Sequence, residues 1–450
     1  MGKYFGTDGF RGTVNQDLTA YHAYLIGRYV GHHCKRGDHA SVVIGKDTRK
    51  SCYMYECALS AGLAASGADV YLMHVTTTPS VSYMVRMDDF DCGIMISASH
   101  NPYQDNGIKL LNSQGEKMED TFIQGLEDYL DAMADTLPLC TEDRIGKVID
   151  FAAGRNRYIG YLISLASHSY KGVKVGLDCA NGSTWMIAKS VFEAVGAHVT
   201  VIHNTPDGVN INRDCGSTHM GELCRLVQEK GLDVGFAFDG DGDRCLAVDE
   251  HGRVVDGDQI VYLYGKYMKQ RERLNESAVV VTVMSNYGLF KALEDNEIRC
   301  EITQVGDRFV AECMREKGYV LGGEQSGHII FAKYATTGDG ILTAMKVMQA
   351  MLAQKKSLSQ LTEGFIPYPQ VLKNIRVTNK DEAVHDPAIQ ALVDQQNREL
   401  TGHGRVLLRK SGTEPVLRVM AEAATHEESN RRVDEVIQKM AERGYLLEVK

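Results

Sequence analysis

DVGFAFDGDGDR, Asp233 to Arg244, decides the fold class: an apolar run ends in three aspartates, Asp239, Asp241 and Asp243, with glycines between them. Such a run reads as a buried strand feeding a polar loop, and the unit recurs. SVVIGKDTR (Ser41 to Arg49), CGIMISASHNP (Cys92 to Pro102) and VKVGLDCANG (Val173 to Gly182) follow the same plan, and AVVVTVMSN (Ala278 to Asn286) is a fifth example. Between them lie helix-like stretches such as YECALSAGLAASG, MIAKSVFEAVG and TAMKVMQAMLAQ, with Gly or Lys near their ends as stop signals. Strands alternating with helices indicate α/β layers. Ligands in such layers collect beyond the carboxyl ends of the strands, which is where these loops lie.

At 450 residues the chain exceeds one core, since cores stop growing at roughly 250–300 residues, and three or four domains are expected. Polar stretches near 150–157, 250–258 and 367–373 divide it into α/β units 1–152, 153–254 and 255–368 and a smaller α+β unit, 369–450, closed by the charged helix EESNRRVDEVIQKMAER. With 44% apolar and 24% charged residues the chain is of soluble globular type, and no run is long and apolar enough to span a bilayer. The start, MGKYFGTDGF, has no basic-then-apolar signal, so a cytoplasmic location is expected. The 11 cysteines are odd in number and contain no C-x-x-C pair, which argues against a zinc site and a disulfide framework alike. A net charge of −10 argues against nucleic acid as a partner. It also means that any phosphorylated substrate needs cations gathered locally, in short loops bearing Arg and Lys.

In DGDGDR, three carboxylates at alternate positions suit a hard cation such as Mg²⁺, the alternative being a solvated acidic turn. A calcium EF-hand loop fits Asp239, Asp241, Asp243 and Glu250, but Arg244 stands where that loop needs Gly, and the flanks read as strands. SASHNPYQDNGIK, Ser97 to Lys109, offers hydroxyls, an imidazole and an amine. Ser99 and His100 are adjacent, so their side chains are expected to diverge rather than form a triad, and the G-x-S-x-G elbow is absent. A serine that accepts phosphate is the functional reading, a capped helix start the bland one. RKSGTEPVLR, Arg409 to Arg418, packs guanidinium groups, an amine, hydroxyls and a Gly into one loop, as a phosphate clamp or else as a solvated loop. GTDGFRG sets Arg11 between glycines, and GGEQSGH sets Glu324, Ser326 and His328 where they suit sugar hydroxyls or an ordinary turn. GKDTR lacks the Walker spacing and no G-x-G-x-x-G opens a helix, so ATP is not the expected phosphate source.

In chain order, YFGTDGFRG, IGKDTR, ISASHNPYQDNGIK, DCANG, DGDGDR, GDRFV, GGEQSGH and LLRKSGTEPVLRVM make the sequence resemble the phosphoglucosamine mutase family of the α-D-phosphohexomutases, from Lys3 to the C-terminus. The resemblance implies four domains around a central cleft, three related α/β domains with mixed sheets between helices and a smaller α+β one. It implies reversible conversion of glucosamine 6-phosphate to glucosamine 1-phosphate, toward UDP-N-acetylglucosamine and cell-wall precursors. Ser99 would be the phosphoserine, with one Mg²⁺ per subunit on Asp239, Asp241, Asp243 and the Ser99 phosphate. Arg11, Lys109 and Arg244 would serve the reacting phosphate, and Glu324 and Ser326 the sugar hydroxyls. Arg409, Ser411, Gly412, Thr413 and Arg418 would grip the distal phosphate. Lys109 and His328 are both candidate proton carriers, with no choice between them. Glucosamine or glucose 1,6-bisphosphate would be the activator. Gly306-Asp307-Arg308 and GEQSGH follow the glucosamine-type pattern, where mannose and glucose relatives have Gly-His and GEMSGH. A phosphoglucomutase or phosphomannomutase, a Mg²⁺-dependent sugar phosphatase and a phosphosugar-binding regulator are the rivals. A phosphosugar is the expected partner, without nucleic acid or membrane; a homodimer is left open.

Overall fold

The computed structural model describes residues 2–37, 39–410 and 416–449. They form two compact units, Met1–Val283 with Ile298–Glu363, and Met284–Glu297 with Gly364–Lys450.

The first unit holds three sheets. In the first sheet, Cys92–Ile96, Ser41–Lys46, Asp69–Val75 and Val148–Asp150 run parallel, and Asp105–Leu111, Gly9–Thr13 and Phe5–Gly6 extend it antiparallel on the other side. Successive side chains of a strand point to opposite faces, and both faces here are covered. Val42, Ile44, Ile94 and Ile96 pack into one core with helices Ala20–His33, Cys52–Ala65 and Asp120–Asp131. Val43 and Met95 pack into another with helix Thr78–Met87. In the second sheet, Lys174–Asp178 lies between parallel partners Val234–Phe238 and His198–Ile202, and Cys245–Val248 adds antiparallel to Val234–Phe238. The third sheet places Ala278–Thr282 parallel to Arg299–Thr303 and Leu321–Gly323, followed by antiparallel Ile329–Phe331.

One device repeats in all three: a buried strand turns back on an antiparallel neighbour, and the turn carries a polar motif. Ile96 pairs with Ile108 around the Ser99 loop, Phe238 with Cys245 around DGDGDR, and Gly323 with Ile329 around EQSGH. The functional loops are thus hairpin turns anchored at both ends by ladder hydrogen bonds, which restricts their motion.

The second unit is an antiparallel sheet, ordered Arg405–Lys410, Val416–Glu422, Gln370–Val377 and Leu446–Val449. Helices Pro387–Glu399 and His426–Glu442 supply Ile389, Val393, Val433, Val436 and Met440 to its core. Helix Tyr287–Glu294 belongs here too: Tyr287 N–H donates to Glu422 Oε2 at 3.2 Å, and Asn286 Nδ2 to the Tyr368 carbonyl at 3.0 Å. No helix of the described residues is long and apolar enough to cross a membrane.

Candidate active site

Ser99 sits in the left-handed region, φ 52°, a strained conformation for a residue with a Cβ. What holds it there is a buried scaffold. Ser99 N–H donates to Ser97 Oγ at 2.9 Å, and Ser97 Oγ donates to Asp47 Oδ2 at 2.6 Å. Arg49, fully buried, ion-pairs with Asp47 at 2.8 Å and spreads its other nitrogens over the carbonyls of Ser99, Asn101, Pro102 and Asp105. GKDTR is therefore the frame of the serine loop. Its sequence signal was an Asp and an Arg two residues apart at the end of an apolar strand.

The left-handed turn also brings His100 back. Its Nδ1 lies 3.3 Å from Ser99 Oγ, so the two adjacent side chains converge, contrary to the expectation of divergence. Burial, with Arg244 and Arg11 nearby, pushes the His100 imidazolium down to about 4, so the ring is neutral at pH 7. No hydrogen bond from His100 to a carboxylate is found among the described residues, and a triad is not assembled.

Ser99 Oγ donates instead to Asp239 Oδ2, at 2.5 Å. One oxygen from each of Asp239, Asp241 and Asp243 lies within 4.8 Å of the others, and all three residues are buried. Lys109 Nζ reaches Asp241 at 2.6 Å and Asp243 at 3.1 Å. Thr78 braces the loop through its N–H to the Asp241 carbonyl, 2.9 Å, and its hydroxyl to the Asp241 carboxylate. Burial, then repulsion from Asp243 and Asp241, drives the Asp239 carboxyl well above its ordinary range. Burial would raise Asp243 as well, but Lys109, His328 and Arg244 outweigh it and hold that carboxyl down to about 2. Asp241 Oδ1 and Asp243 Oδ1 are buried without a hydrogen-bond partner. Buried oxygens rarely go unmatched, and three oxygen ligands with two of them orphaned fit a hard divalent cation.

Around this cluster stand the other residues singled out in the first unit. Arg11 pairs with Asp8 at 3.6 Å. Arg244 pairs backbone to backbone with His328, joining the DGDGDR and EQSGH turns. His328 is buried; its Nε2 accepts from Gly338 N–H at 3.2 Å and lies 3.4 Å from Asp307 Oδ2, while its Nδ1 is buried without a partner. Glu324 Oε1 accepts from Gly306 N–H at 3.1 Å, and burial raises its pKa, with Asp307 adding to the effect. Ser326 is exposed. Lys109, Asp243, His328 and Asp307 line a cavity of about 710 Å³, together with Asp8 and Thr336. Asp307 and Arg308 of the GDR motif are engaged in ion pairs, Asp307 with Lys117 at 2.5 Å and Arg308 with Asp120 at 2.7 Å, which tie helix Asp307–Lys317 to the first sheet's layer.

In the second unit, Arg409 and Arg418 face each other across paired strands. Like charges directly opposite repel, and burial together with Arg418 lowers the Arg409 pKa, so the pair is suited to an anion. Lys410 is ion-paired with Asp381. Ser411, Gly412 and Thr413 lie outside the described residues.

Two contacts escaped the sequence reading because they join distant segments. Asn212 Nδ2 donates to the Ser99 carbonyl at 2.8 Å and to the Asn101 carbonyl at 3.0 Å. Gly240 packs so closely that a Cβ there would lie 2.4 Å from the Ser99 carbonyl oxygen, 2.9 Å from Ile211 Cδ1 and 3.0 Å from Asn212 Nδ2. Backbone oxygen cannot yield as a side-chain tip can. Gly240→Ala is therefore expected to cost about 1–3 kcal/mol by overpacking and to lower kcat by displacing the serine loop. Gly221→Ala, where a Cβ meets nothing within 4 Å, is the control expected to change neither. Melting curves and steady-state rates of the two variants check this.

Four family descriptions match in order: phosphoglucomutase/phosphomannomutase alpha/beta/alpha domain I over residues 2–136, domain II over 156–252, domain III over 256–368 and the C-terminal domain over 372–439. The phosphoglucosamine mutase of Lachnospira eligens is 58% identical over 448 residues, covering 99% of this chain and all of the relative. That of Lachnoclostridium phytofermentans is 55% identical over 446 residues, covering 99% of this chain and all of the relative. Among solved structures, a phosphoglucomutase/phosphomannomutase family protein from Burkholderia thailandensis superposes with a TM-score of 0.81 at 23% identity, covering 99% of this chain and all of the other. The Aspergillus fumigatus N-acetylphosphoglucosamine mutase, in complex with GlcNAc-6P and magnesium, gives a TM-score of 0.65 at 17% identity over 98% of this chain and 96% of the other. At those identities the structures speak for the fold, while the full-length relatives speak for the family. The chain belongs to the phosphoglucosamine mutases, phosphohexomutase isomerases of the phosphoglucomutase/phosphomannomutase superfamily.

Proposed function

We propose that this chain interconverts glucosamine 6-phosphate and glucosamine 1-phosphate through a phosphorylated Ser99 and a glucosamine 1,6-bisphosphate. The observation that carries the reading is Ser99 Oγ, 2.5 Å from the first carboxylate of a buried three-carboxylate loop. Asp239, Asp241 and Asp243 would hold the Mg²⁺. Bound there, Mg²⁺ would withdraw charge from the oxygens of the phosphoryl group carried by Ser99.

The chain's own groups then divide the work. The bond from phosphorus to Ser99 Oγ breaks as one forms to the free sugar hydroxyl, whose proton is taken up within the site, with Lys109 and His328 as the candidate carriers. After the bisphosphate turns end for end, its other phosphate returns to Oγ and the freed sugar oxygen takes back a proton. No water is consumed. Lys109 Nζ is held by two carboxylates, and His328 Nε2 accepts from Gly338 N–H, which places the neutral ring's proton on Nδ1, so neither of the two candidates is singled out as the base. Lys109, Arg11 and Arg244 serve as cations for the reacting phosphate, and Glu324 and Ser326 hold sugar hydroxyls. Arg409 and Arg418, with Ser411, Gly412 and Thr413, bind the phosphate that is not reacting. The reaction fits a cytoplasmic step toward UDP-N-acetylglucosamine, with a 1,6-bisphosphate as activator.

Glucosamine 6-phosphate incubated with and without a catalytic 1,6-bisphosphate tests this. Isomerisation stimulated by the bisphosphate supports the proposal; release of inorganic phosphate alone would make the chain a phosphatase. Preference among sugars rests on the two relatives at 58% and 55% identity, both phosphoglucosamine mutases, and the substrate amine differs from a hydroxyl chiefly in charge. One hydrogen bond to a charged group contributes about 1.5–3 kcal/mol, so kcat/KM for glucosamine phosphate is expected to exceed that for glucose phosphate by roughly 10- to 150-fold. Equal values for the two sugars would contradict it.

A further inference from the structure

A second group of donors sits apart from the catalytic cluster, at the carboxyl edge of the second sheet. Asp178 ends strand Lys174–Asp178, His203 follows strand His198–Ile202, and Cys215 precedes the turn Gly216–Thr218. One carboxylate oxygen, one ring nitrogen and the sulfur lie within 4.8 Å of one another, and Asp178 and Cys215 are fully buried. His203 Nε2 is 3.2 Å from Glu222 Oε2, and its Nδ1 is 3.0 Å from Asp178 Oδ2. Yet Nδ1 is buried without a well-directed hydrogen bond. Each ring nitrogen thus faces a carboxylate, and if the neutral ring gives its proton to Glu222 through Nε2, Nδ1 and Asp178 meet as two acceptors. Two acceptors at that separation require a proton or a cation between them. Asp178 itself is fixed, its two oxygens accepting the N–H groups of Ala180 and Gly216, each at 2.9 Å.

We propose that Asp178, His203 and Cys215 form a second metal site, for a borderline divalent cation such as Zn²⁺ or Co²⁺, with Glu222 orienting the imidazole. Sulfur and nitrogen donors disfavour Mg²⁺ and suit zinc or cobalt. A carboxylate on the far nitrogen of a ligating imidazole is the usual outer partner of such a site. Tetrahedral ligands at zinc distances stand about 3.3–3.8 Å apart, so donors that lie within 4.8 Å of one another need close by no more than roughly 1–1.5 Å on binding. His203, with a fifth of its side chain exposed, is the donor free to move. Such a cation binds the thiolate, so Cys215 would release its proton on binding. The absence of a C-x-x-C pair pointed away from zinc, but these donors come from three separate segments, whose convergence no local spacing reveals. The segment leading to Cys215 also carries Asn212, so a bound ion would stiffen the support beneath Ser99.

The test is a Co²⁺ titration of the full-length chain saturated with Mg²⁺, followed by near-ultraviolet absorption. A thiolate-to-cobalt charge-transfer band that saturates at one equivalent and is displaced by Zn²⁺ is expected; the Asp239, Asp241 and Asp243 cluster has no sulfur and cannot produce it. Cys215→Ser should abolish the band, and Glu222→Gln should weaken Co²⁺ binding roughly 10- to 100-fold. His203→Gln, at a partly exposed position, carries the test if Cys215→Ser does not fold. Absence of the band in the folded wild type, as for an imidazolium bridging Asp178 and Glu222, would overturn the proposal. So would a band undiminished in Cys215→Ser or His203→Gln.

Discussion

Replacing Ser99 by alanine is expected to lower mutase turnover by on the order of 10⁴-fold or more, the scale on which enzymes lose rate when a covalent nucleophile is removed. Nothing else in the loop substitutes for it. Ser97 Oγ is committed to Asp47 and to the Ser99 N–H, and His100 offers an imidazole at 3.3 Å but no hydroxyl. The fold should survive, because the loop is held by Arg49 and Asn212 through carbonyl oxygens that the substitution leaves in place. The loss to stability should be about 1.5–3 kcal/mol, for one hydrogen bond to a buried carboxylate that is then less well satisfied. Intact-mass measurement after incubation with a 1,6-bisphosphate should show a phosphorylated wild type and an unmodified variant. Wild-type turnover in the variant would remove Ser99 from the reaction.

Asp241→Asn has the second-largest expected effect, a loss on the order of 10³-fold in kcat/KM, taking the removal of one charge-stabilising group as the guide. Asparagine keeps the volume and an oxygen for the Thr78 hydroxyl, but it removes one of the two carboxylates that hold Lys109. It also leaves only two charges for the metal. The effect on stability should run the other way. Three buried carboxylates crowd within 4.8 Å, so without Mg²⁺ the variant should melt no lower than the wild type. Added Mg²⁺ should raise the melting temperature of the wild type, as any ligand of the native state does, and raise that of the variant much less. Calorimetric titration with Mg²⁺ beside melting curves decides this; equal Mg²⁺ affinity and equal rate would take Asp241 out of the site.

The layers and their loops were legible because each candidate site segment is a strong local pattern, an apolar strand broken by Asp or Ser and Gly. The α/β class and the smaller α+β C-terminal unit followed from the same patterns, while the antiparallel order of its strands came only with the structure. What could not be read is what depends on long-range packing. Arg49 bracing four carbonyls, Asn212 reaching Ser99 and Thr78 reaching Asp241 each join segments with no common local signal. The closeness of His100 to Ser99 escaped because it depends on one left-handed residue, and adjacent side chains in extended chain point apart. Helix Tyr287–Glu294, amphipathic and flanked by strands of the third sheet, gives no hint in its pattern that it packs with the C-terminal unit. GDR, taken as a mark of substrate type, proves to have Asp307 and Arg308 engaged in ion pairs to Lys117 and Asp120.

The direct seat of the Ser99 carbonyl against Gly240 bears on how the chain is made. The hydroxyl and its carboxylate partner Asp239 are 140 residues apart, and neither belongs to a structure that the other helps to start. Domains fold largely as units in the order in which they are synthesised. The first sheet can therefore settle, with Arg49 already gripping the serine loop, well before the acidic turn exists. Only when the second sheet docks does Gly240 close on that loop and Asn212 add its hydrogen bonds. A partly synthesised chain thus carries Ser99 without the carboxylate that its hydroxyl meets in the folded protein, and that contact arrives only when the two sheets dock.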